Sequence, residues 1–257
     1  MTMLIWLADV LRQAGLSVVE EPGWQTRGLG EMGLVVGVIC HHTAGPLAGD
    51  DPSLGIVIHG RGAPNPLPGP LSHLFLARSG VFHIVAAGKC NHAGRGTWHG
   101  VANGNIQFIG IEAENAGTGQ DHWPLSQLEA YEKGVAAILE HLKRDDVWAV
   151  GHKEYALPKG RKTDPSFDMI TFRQAVGAFM ANTPHTFVPA STDPQRDMLR
   201  KGAQGDSVKE LQHALHIKED GFFGPATEAA VKSFQQKNGL VADGLVGPKT
   251  WVKLLNL

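Results

Sequence analysis

Two short apolar runs in this chain each end in histidine, and that pairing limits its fold more than any other feature. Leu34-Val35-Val36-Gly37-Val38-Ile39-Cys40 leads into His41-His42-Thr43, and Val147-Trp148-Ala149-Val150 leads into Gly151-His152. Runs this short, apolar on both faces, suit strands of a sheet that is covered on both sides. If the two strands neighbour each other, both histidines emerge at one end of the sheet. The loop after His152 then passes through Pro158 and Gly160 to Arg161-Lys162-Thr163-Asp164-Pro165. A carboxylate and a cation thus return to the neighbourhood of the two imidazoles.

The rest of the chain supplies the layers. Leu4, Leu7 and Leu11, closed by Gly15, read as an amphipathic helix, and residues 16–20 as a short strand. Residues 45–70 are rich in Gly and Pro, which predicts a long loop with at most one short helix or strand. Residues 72–77 and 81–86 flank Arg78-Ser79-Gly80 as a hairpin, and residues 105–114 form a further apolar strand. Ser126-Gln127-Leu128-Glu129 has the spacing of a capping box. It would open a helix with Leu128, Tyr131, Val135, Ile138, Leu139 and Leu142 along one stripe. Asp168 is the expected N-cap of another helix, which carries Phe172, Val176, Phe179 and Met180. This mixture predicts an α/β domain, a central mixed β-sheet flanked by helices.

Between Asn182 and Arg196 the chain turns Pro-, Ser- and Thr-rich and loses periodicity, as a linker does. Beyond it, Asp220-Gly-Phe-Phe-Gly-Pro-Ala-Thr227 recurs as Asp243-Gly-Leu-Val-Gly-Pro-Lys-Thr250. In each copy the proline suits the first turn of a helix. Three short helices beginning near Asp206, Pro225 and Pro248 follow, with Val208, Leu211, Leu215, Val231, Phe234, Trp251 and Leu254 as their core. The expected division is a larger domain over 1–182, a linker over 183–197 and a small three-helix C-terminal domain over 198–257.

A net charge of -2 over 257 residues, with no basic run, argues against a nucleic-acid binder. Cys40 and Cys90 are too few for a disulfide framework and are expected to be reduced thiols, Cys40 as a small core residue. No apolar run approaches transmembrane length, so membrane insertion is not expected. The N-terminal stretch lacks a basic region, and Asp9 and Arg12 interrupt it, so it reads as a helix rather than a signal peptide. Synthesis as a soluble cytoplasmic protein, monomeric, is the expectation.

A catalytic zinc takes three protein ligands and keeps one position for water. His41 and His152 lie at the ends of the two apolar strands, and Asp164 closes a triangle from its loop. His42 alternates to the other face, so His41 and His42 are not both ligands. Glu112, hemmed by apolar residues at a strand end, is the candidate base, with Glu114 one pleat further on as the alternative. Lys162 is the cation for a developing oxyanion. His92 and His99, beside glycines in a loop with Arg95, are candidates for substrate contact. His73, inside the hairpin, is expected to be a hydrogen-bonded interior residue.

The strings Val38-Ile39-Cys40-His41-His42-Thr43-Ala44-Gly45, His92-Ala93-Gly94, Ile109-Gly110-Ile111-Glu112-Ala113-Glu114-Asn115, Gly151-His152 and Arg161-Lys162-Thr163-Asp164-Pro165 stand in one order. Together they resemble the zinc-dependent type-2 N-acetylmuramoyl-L-alanine amidases, relatives of the peptidoglycan recognition proteins, from about Leu34 to Phe179. The resemblance implies one zinc per chain on His41, His152 and Asp164, with Glu112 and Lys162 assisting catalysis. The residues from about Met198 resemble a three-helix peptidoglycan-binding module of cell-wall hydrolases. Peptidoglycan is then the implied substrate and anchor. A phage endolysin is the implied setting, acting on the wall after membrane permeabilisation. The alternatives are a non-catalytic peptidoglycan receptor, a host autolysin and a zinc peptidase that cuts the stem peptide.

Overall fold

The computed structural model describes residues 3–181 and 199–254. The chain divides into two compact units, Met1–Pro189 and Ala190–Leu257. The linker expected over 183–197 lies outside the described residues.

The first unit opens with α1 (Leu7–Gln13) and β1 (Val18–Glu20), followed by β2 (Gly37–His42). Residues 45–70 hold more structure than expected: α2 (Leu54–His59) and a small antiparallel pair, β3 (Gly60–Arg61) with β4 (Leu67–Pro68). The hairpin follows as β5 (Leu74–Leu76) and β6 (Phe82–Ile84). The strand expected over 105–114 begins later than its apolar pattern indicates. One helical turn, α3 (Gly104–Gln107), precedes β7 (Phe108–Ala113), and its amide at Gly104 donates to the Tyr155 hydroxyl at 2.9 Å. Then come α4 (Leu125–Leu142), β8 (Ala149–Gly151), the single turn α5 (His152–Tyr155) and α6 (Met169–Met180).

The six-stranded sheet has the order β1-β6-β5-β7-β2-β8. Only the β5–β6 hairpin is antiparallel, so the sheet is mixed. Alternation sorts the central strands. Val38, Cys40, Ile109, Ile111 and Ala149 share one face, and Ile39, His41, Phe108, Glu112 and Val150 share the other. The second face packs Val36, Ile39, Phe108 and Val150 against Ala93 and Tyr155, so loops and short helices cover it. Every residue of β2 is buried, as expected of a strand flanked on both sides. Cys40 and Cys90 are free, buried thiols, and burial pushes the Cys40 thiol up to about 12.

Two helix starts contrast. Asp168 caps α6 as expected, its Oδ1 accepting from the Thr171 amide at 2.8 Å. The capping box at Ser126 does not form, because α4 already starts at Leu125 with Pro124 as N-cap. Ser126 is therefore inside the first turn, where its hydroxyl cannot act as a cap. Gln127 instead turns inward, donating to the Glu114 and Leu76 carbonyls at 2.9 and 3.3 Å.

The second unit is built on α7 (Asp206–Ala214), α8 (Pro225–Lys237) and α9 (Pro248–Leu254). Its core joins Val208, Leu211, Val231, Trp251 and Leu254 to Leu199, Phe223 and Val246, with Leu215 and Phe234 partly buried. The sequence repeat is a repeated hydrogen-bond knot. Gln212 Nε2 donates to Asp220 Oδ1 at 2.8 Å and to Thr227 Oγ1 at 3.1 Å, while its Oε1 accepts from the Gly221 amide at 2.8 Å. Gln235 does the same with Asp243, Thr250 and Gly244 at 2.9, 3.2 and 2.9 Å. Both glutamines are buried, so each amide needs these partners, and the Asp-Gly-x-x-Gly-Pro-x-Thr pattern supplies them.

Candidate metal centre

Strand register places His41 beside the other candidate residues. In the parallel pair β2–β7, His41 lies opposite Glu112, and in β2–β8, Cys40 lies opposite Gly151. His152 therefore follows at the height of His41, at the carboxyl ends of parallel strands where open α/β sheets form their sites. Asp164 reaches the same point because its loop is tied back: the Lys153 amide donates to the Asp164 carbonyl at 2.7 Å. Lys153 Nζ, partly buried, also donates to the carbonyls of Pro165 and Phe167 at 2.7 and 2.6 Å.

Three donor atoms meet. His41 Nδ1 and His152 Nδ1 are 2.9 Å apart, and Asp164 Oδ2 lies 3.1 Å from the first and 2.9 Å from the second. All three side chains are buried, and they are a group able to hold a metal ion. Two imidazoles and one carboxylate form a donor set suited to zinc, which leaves a coordination position open. The outer nitrogens are engaged as well: His152 Nε2 donates to the Ala93 carbonyl at 3.0 Å, and His41 Nε2 lies 3.1 Å from His92 Nδ1. The residues present fit a metal.

Burial, reinforced by the neighbouring His152, brings His41 down to about 4, so its imidazole is neutral at neutral pH. Burial pulls the Asp164 carboxyl upward, but hydrogen bonds from His152 and His41 overcome it and hold the group well below the usual carboxylate range. Glu112 behaves in the opposite way. Burial and then the Asp164 charge push its carboxyl well up, with Lys162 opposing. Its Oε1 lies 4.0 Å from His41 Nδ1, and its Oε2 has no hydrogen-bond partner among the described residues. A buried acceptor with no partner among the described residues is placed to meet something from outside.

The group opens into a cleft of about 670 Å³ whose walls include His42, Ser53, Arg61, Asn91, Arg161 and Lys162. His92 also lines it. Neither His99 nor Arg95 does. His99 is exposed, with a left-handed φ of 44°, and its ring meets Trp98 and Trp148 with centroids 5.1 and 5.8 Å away. Arg95 is also exposed, and its carbonyl accepts from Arg161 at 2.7 Å. Their expected contact with substrate finds no support in this placement. His73 is the interior residue anticipated, its Nδ1 accepting from the Gly110 amide at 3.0 Å. The alternative base, Glu114, is fully buried and committed: Thr43 and Ser53 donate to its carboxylate through both hydroxyls and the Ser53 amide, at 2.8–3.0 Å.

Several supporting groups carry no sequence signal. The Tyr131 hydroxyl accepts from the His41 amide, and the Asn105 side chain accepts from the amides of His92 and Ala93 at 3.1 and 2.8 Å. Tyr131 reads as one more apolar position of a helix stripe, and Asn105 as the start of a strand.

The carboxyl edge of this α/β sheet thus carries a two-histidine, one-aspartate group able to hold a metal ion. Residues 32–167 match the model of the N-acetylmuramoyl-L-alanine amidase family, and residues 204–254 match a peptidoglycan binding domain. The chain belongs to the N-acetylmuramoyl-L-alanine amidase family. Among curated relatives, it is 42% identical over 67 residues to a zinc D-Ala-D-Ala carboxypeptidase of Streptomyces albus G, covering 23% of this chain and 26% of that one. It is 33% identical over 97 residues to the N-acetylmuramoyl-L-alanine amidase CwlL of Bacillus licheniformis, covering 33% and 27%. The chain spans between about a quarter and about half of the length of the curated relatives it matches. A solved structure of the N-acetylmuramyl-L-alanine amidase AmiD from E. coli is 18% identical, covers 92% of this chain and 95% of that one, and has a TM-score of 0.46. No helix among the described residues is long and apolar enough to cross a membrane.

Proposed function

We propose that this protein hydrolyses the amide that joins the lactyl group of N-acetylmuramic acid to L-alanine in peptidoglycan. The observation that carries the proposal is the meeting of His41 Nδ1, His152 Nδ1 and Asp164 Oδ2 at a cleft that His152, Asp164 and Glu112 line.

His41, His152 and Asp164 would hold one zinc ion, which supplies Lewis acidity toward a carbonyl and makes a water more acidic. Glu112 does the proton work. Its raised affinity for a proton suits it to accept one from the attacking water at Oε1 or Oε2 and deliver it to the departing L-alanine nitrogen. Lys162, on the cleft wall, offsets the negative charge that grows on the former carbonyl oxygen. The apolar side of the cleft, including Ile56, Val57 and Leu71, limits water around the reacting groups.

Residues 198–257 are proposed to anchor the enzyme to the wall, which raises the effective concentration of substrate for the linked hydrolase. The setting that suits this pairing is endolysin-like: synthesis in a host cytoplasm as a monomer, and action on the wall once the membrane is breached.

Purified protein incubated with peptidoglycan, with chelator and with zinc restored, tests the activity through the released ends. New N-terminal L-alanine with intact glycan strands is the expected product, lost on chelation and regained with zinc. New termini within the stem peptide would identify a peptidase instead. Binding without any cleavage would identify a receptor.

A further inference from the structure

The cleft residue His92 faces two ways. Its Nε2 is 3.2 Å from the Phe108 carbonyl oxygen, and its Nδ1 is 3.1 Å from His41 Nε2. A carbonyl can only accept, so the hydrogen of a neutral His92 sits on Nε2 and leaves Nδ1 as an acceptor. His41 must then carry its hydrogen on Nε2, and the lone pair of its Nδ1 is left facing His152 and Asp164. One backbone carbonyl thus settles, through two rings, which nitrogen of His41 is available to a metal.

The surroundings hold this order in place. Asn105 Oδ1 accepts from the His92 amide at 3.1 Å and the Ala93 amide at 2.8 Å, which fixes the loop on which the ring is carried. The ring lies against Gly110 of β7, where a Cβ would come within 2.7 Å of His92 Cγ. His73 meets its ring with centroids 5.5 Å apart and His41 with centroids 5.3 Å apart, both near perpendicular. His92 is buried, so solvent does not substitute for either partner.

We propose that His92 is a positioning residue that fixes the tautomer and orientation of His41 for metal binding, and that Gly110 is glycine to admit it. This rests on His41 being a ligand, as in the proposed function, and it assigns His92 to the metal site rather than to substrate.

The direct test is the tautomer in the metal-free full chain, read by long-range proton–nitrogen NMR of labelled histidines. His41 and His92 are both expected to carry hydrogen on Nε2; a hydrogen on Nδ1 of either would overturn the proposal. Zinc affinity by competition with a chelator gives a second readout. His92→Gln keeps an acceptor toward His41 and a donor toward Phe108, and is expected to bind zinc within about threefold of the parent. His92→Leu and Gly110→Ala are expected to weaken zinc binding by about 10–100-fold, the usual effect of losing a partner of a metal ligand. Parent-like affinity in His92→Leu, or equal loss in His92→Gln, would also overturn it. A parent chain that binds zinc with these properties but cleaves nothing would sink the proposed activity and leave this inference standing.

Discussion

His41 and Tyr131 are separated by 90 residues, yet the Tyr131 hydroxyl accepts the His41 amide at 2.9 Å and donates to the Ile111 carbonyl at 2.9 Å. One hydroxyl from α4 thus joins β2 to β7 at the height of the metal centre. Tyr131→Phe would leave a buried amide and a buried carbonyl short of a partner, a loss of about 1–3 kcal/mol. Denaturant unfolding should register that loss, and zinc affinity should fall with it. Unchanged stability and affinity would mean that the hydroxyl merely fills space.

Glu114 braces the part of the cleft wall formed by Thr43, Gly45 and Ser53. Its carboxylate gathers Thr43 and Ser53, and Gly45 runs so close that a Cβ there would lie 2.3 Å from Glu114 Oε1. Glu114→Gln turns one acceptor into a donor that faces other donors, at a cost of about 1.5–3 kcal/mol. Activity should drop through this wall while zinc stoichiometry is preserved. Loss of zinc together with activity would instead place Glu114 with the ligands.

Glu132, buried on α4, has its carboxyl pushed up to about 8 by burial and then by the charge of Glu129. Between the ordinary carboxylate value and about 8, the folded chain keeps a proton that the unfolded chain has released. Stability contributed by this group therefore falls as pH rises through that window. Glu132→Gln should be the more stable protein at about pH 9, with the difference fading below about pH 4, where the carboxyl is protonated in both states. Thermal unfolding at several pH values checks the sign, and a variant that gains nothing at high pH would contradict it.

The C-terminal repeat predicts matched losses. Gln212→Ala and Gln235→Ala each remove a buried amide with equivalent donors and acceptors, so each should destabilise its unit by about 2–4 kcal/mol. Hydrogen exchange of the Gly221 and Gly244 amides would report the two knots separately. A change in only one of them would show that the repeat is not energetic.

Much of this site could be read from the chain because its parts sit where strands end. His41 and His152 close apolar runs, and the parallel register that brings them together follows once those runs share a sheet. Asp164 and Lys162 lie in a loop too rich in chemistry for a plain turn. The supports were hidden for a physical reason: the Ala93 carbonyl, the Phe108 carbonyl and Asn105 act through backbone atoms or through partners distant in sequence, and such contacts leave no periodicity. Local patterns misled in the same way. Ser126 had the spacing of a cap but not the position, because α4 begins one residue before it. Residues 45–70 hold the one short helix that the loop reading allowed, but also the β3–β4 pair, whose two-residue strands are too short to show an alternation. His99 shared a glycine-bordered loop with His92, and only the fold separates a ring against two tryptophans from one against His41.

His41, His152 and Asp164 are proposed to form one metal site. Equilibrium dialysis of the full chain against zinc, followed by elemental analysis, measures it most directly, with Asp164→Ala run beside the parent. The expected result is one zinc per parent chain and a large loss of bound zinc in the variant, with folding preserved. A parent that binds no zinc, or a variant that binds it equally well, would rule out that site.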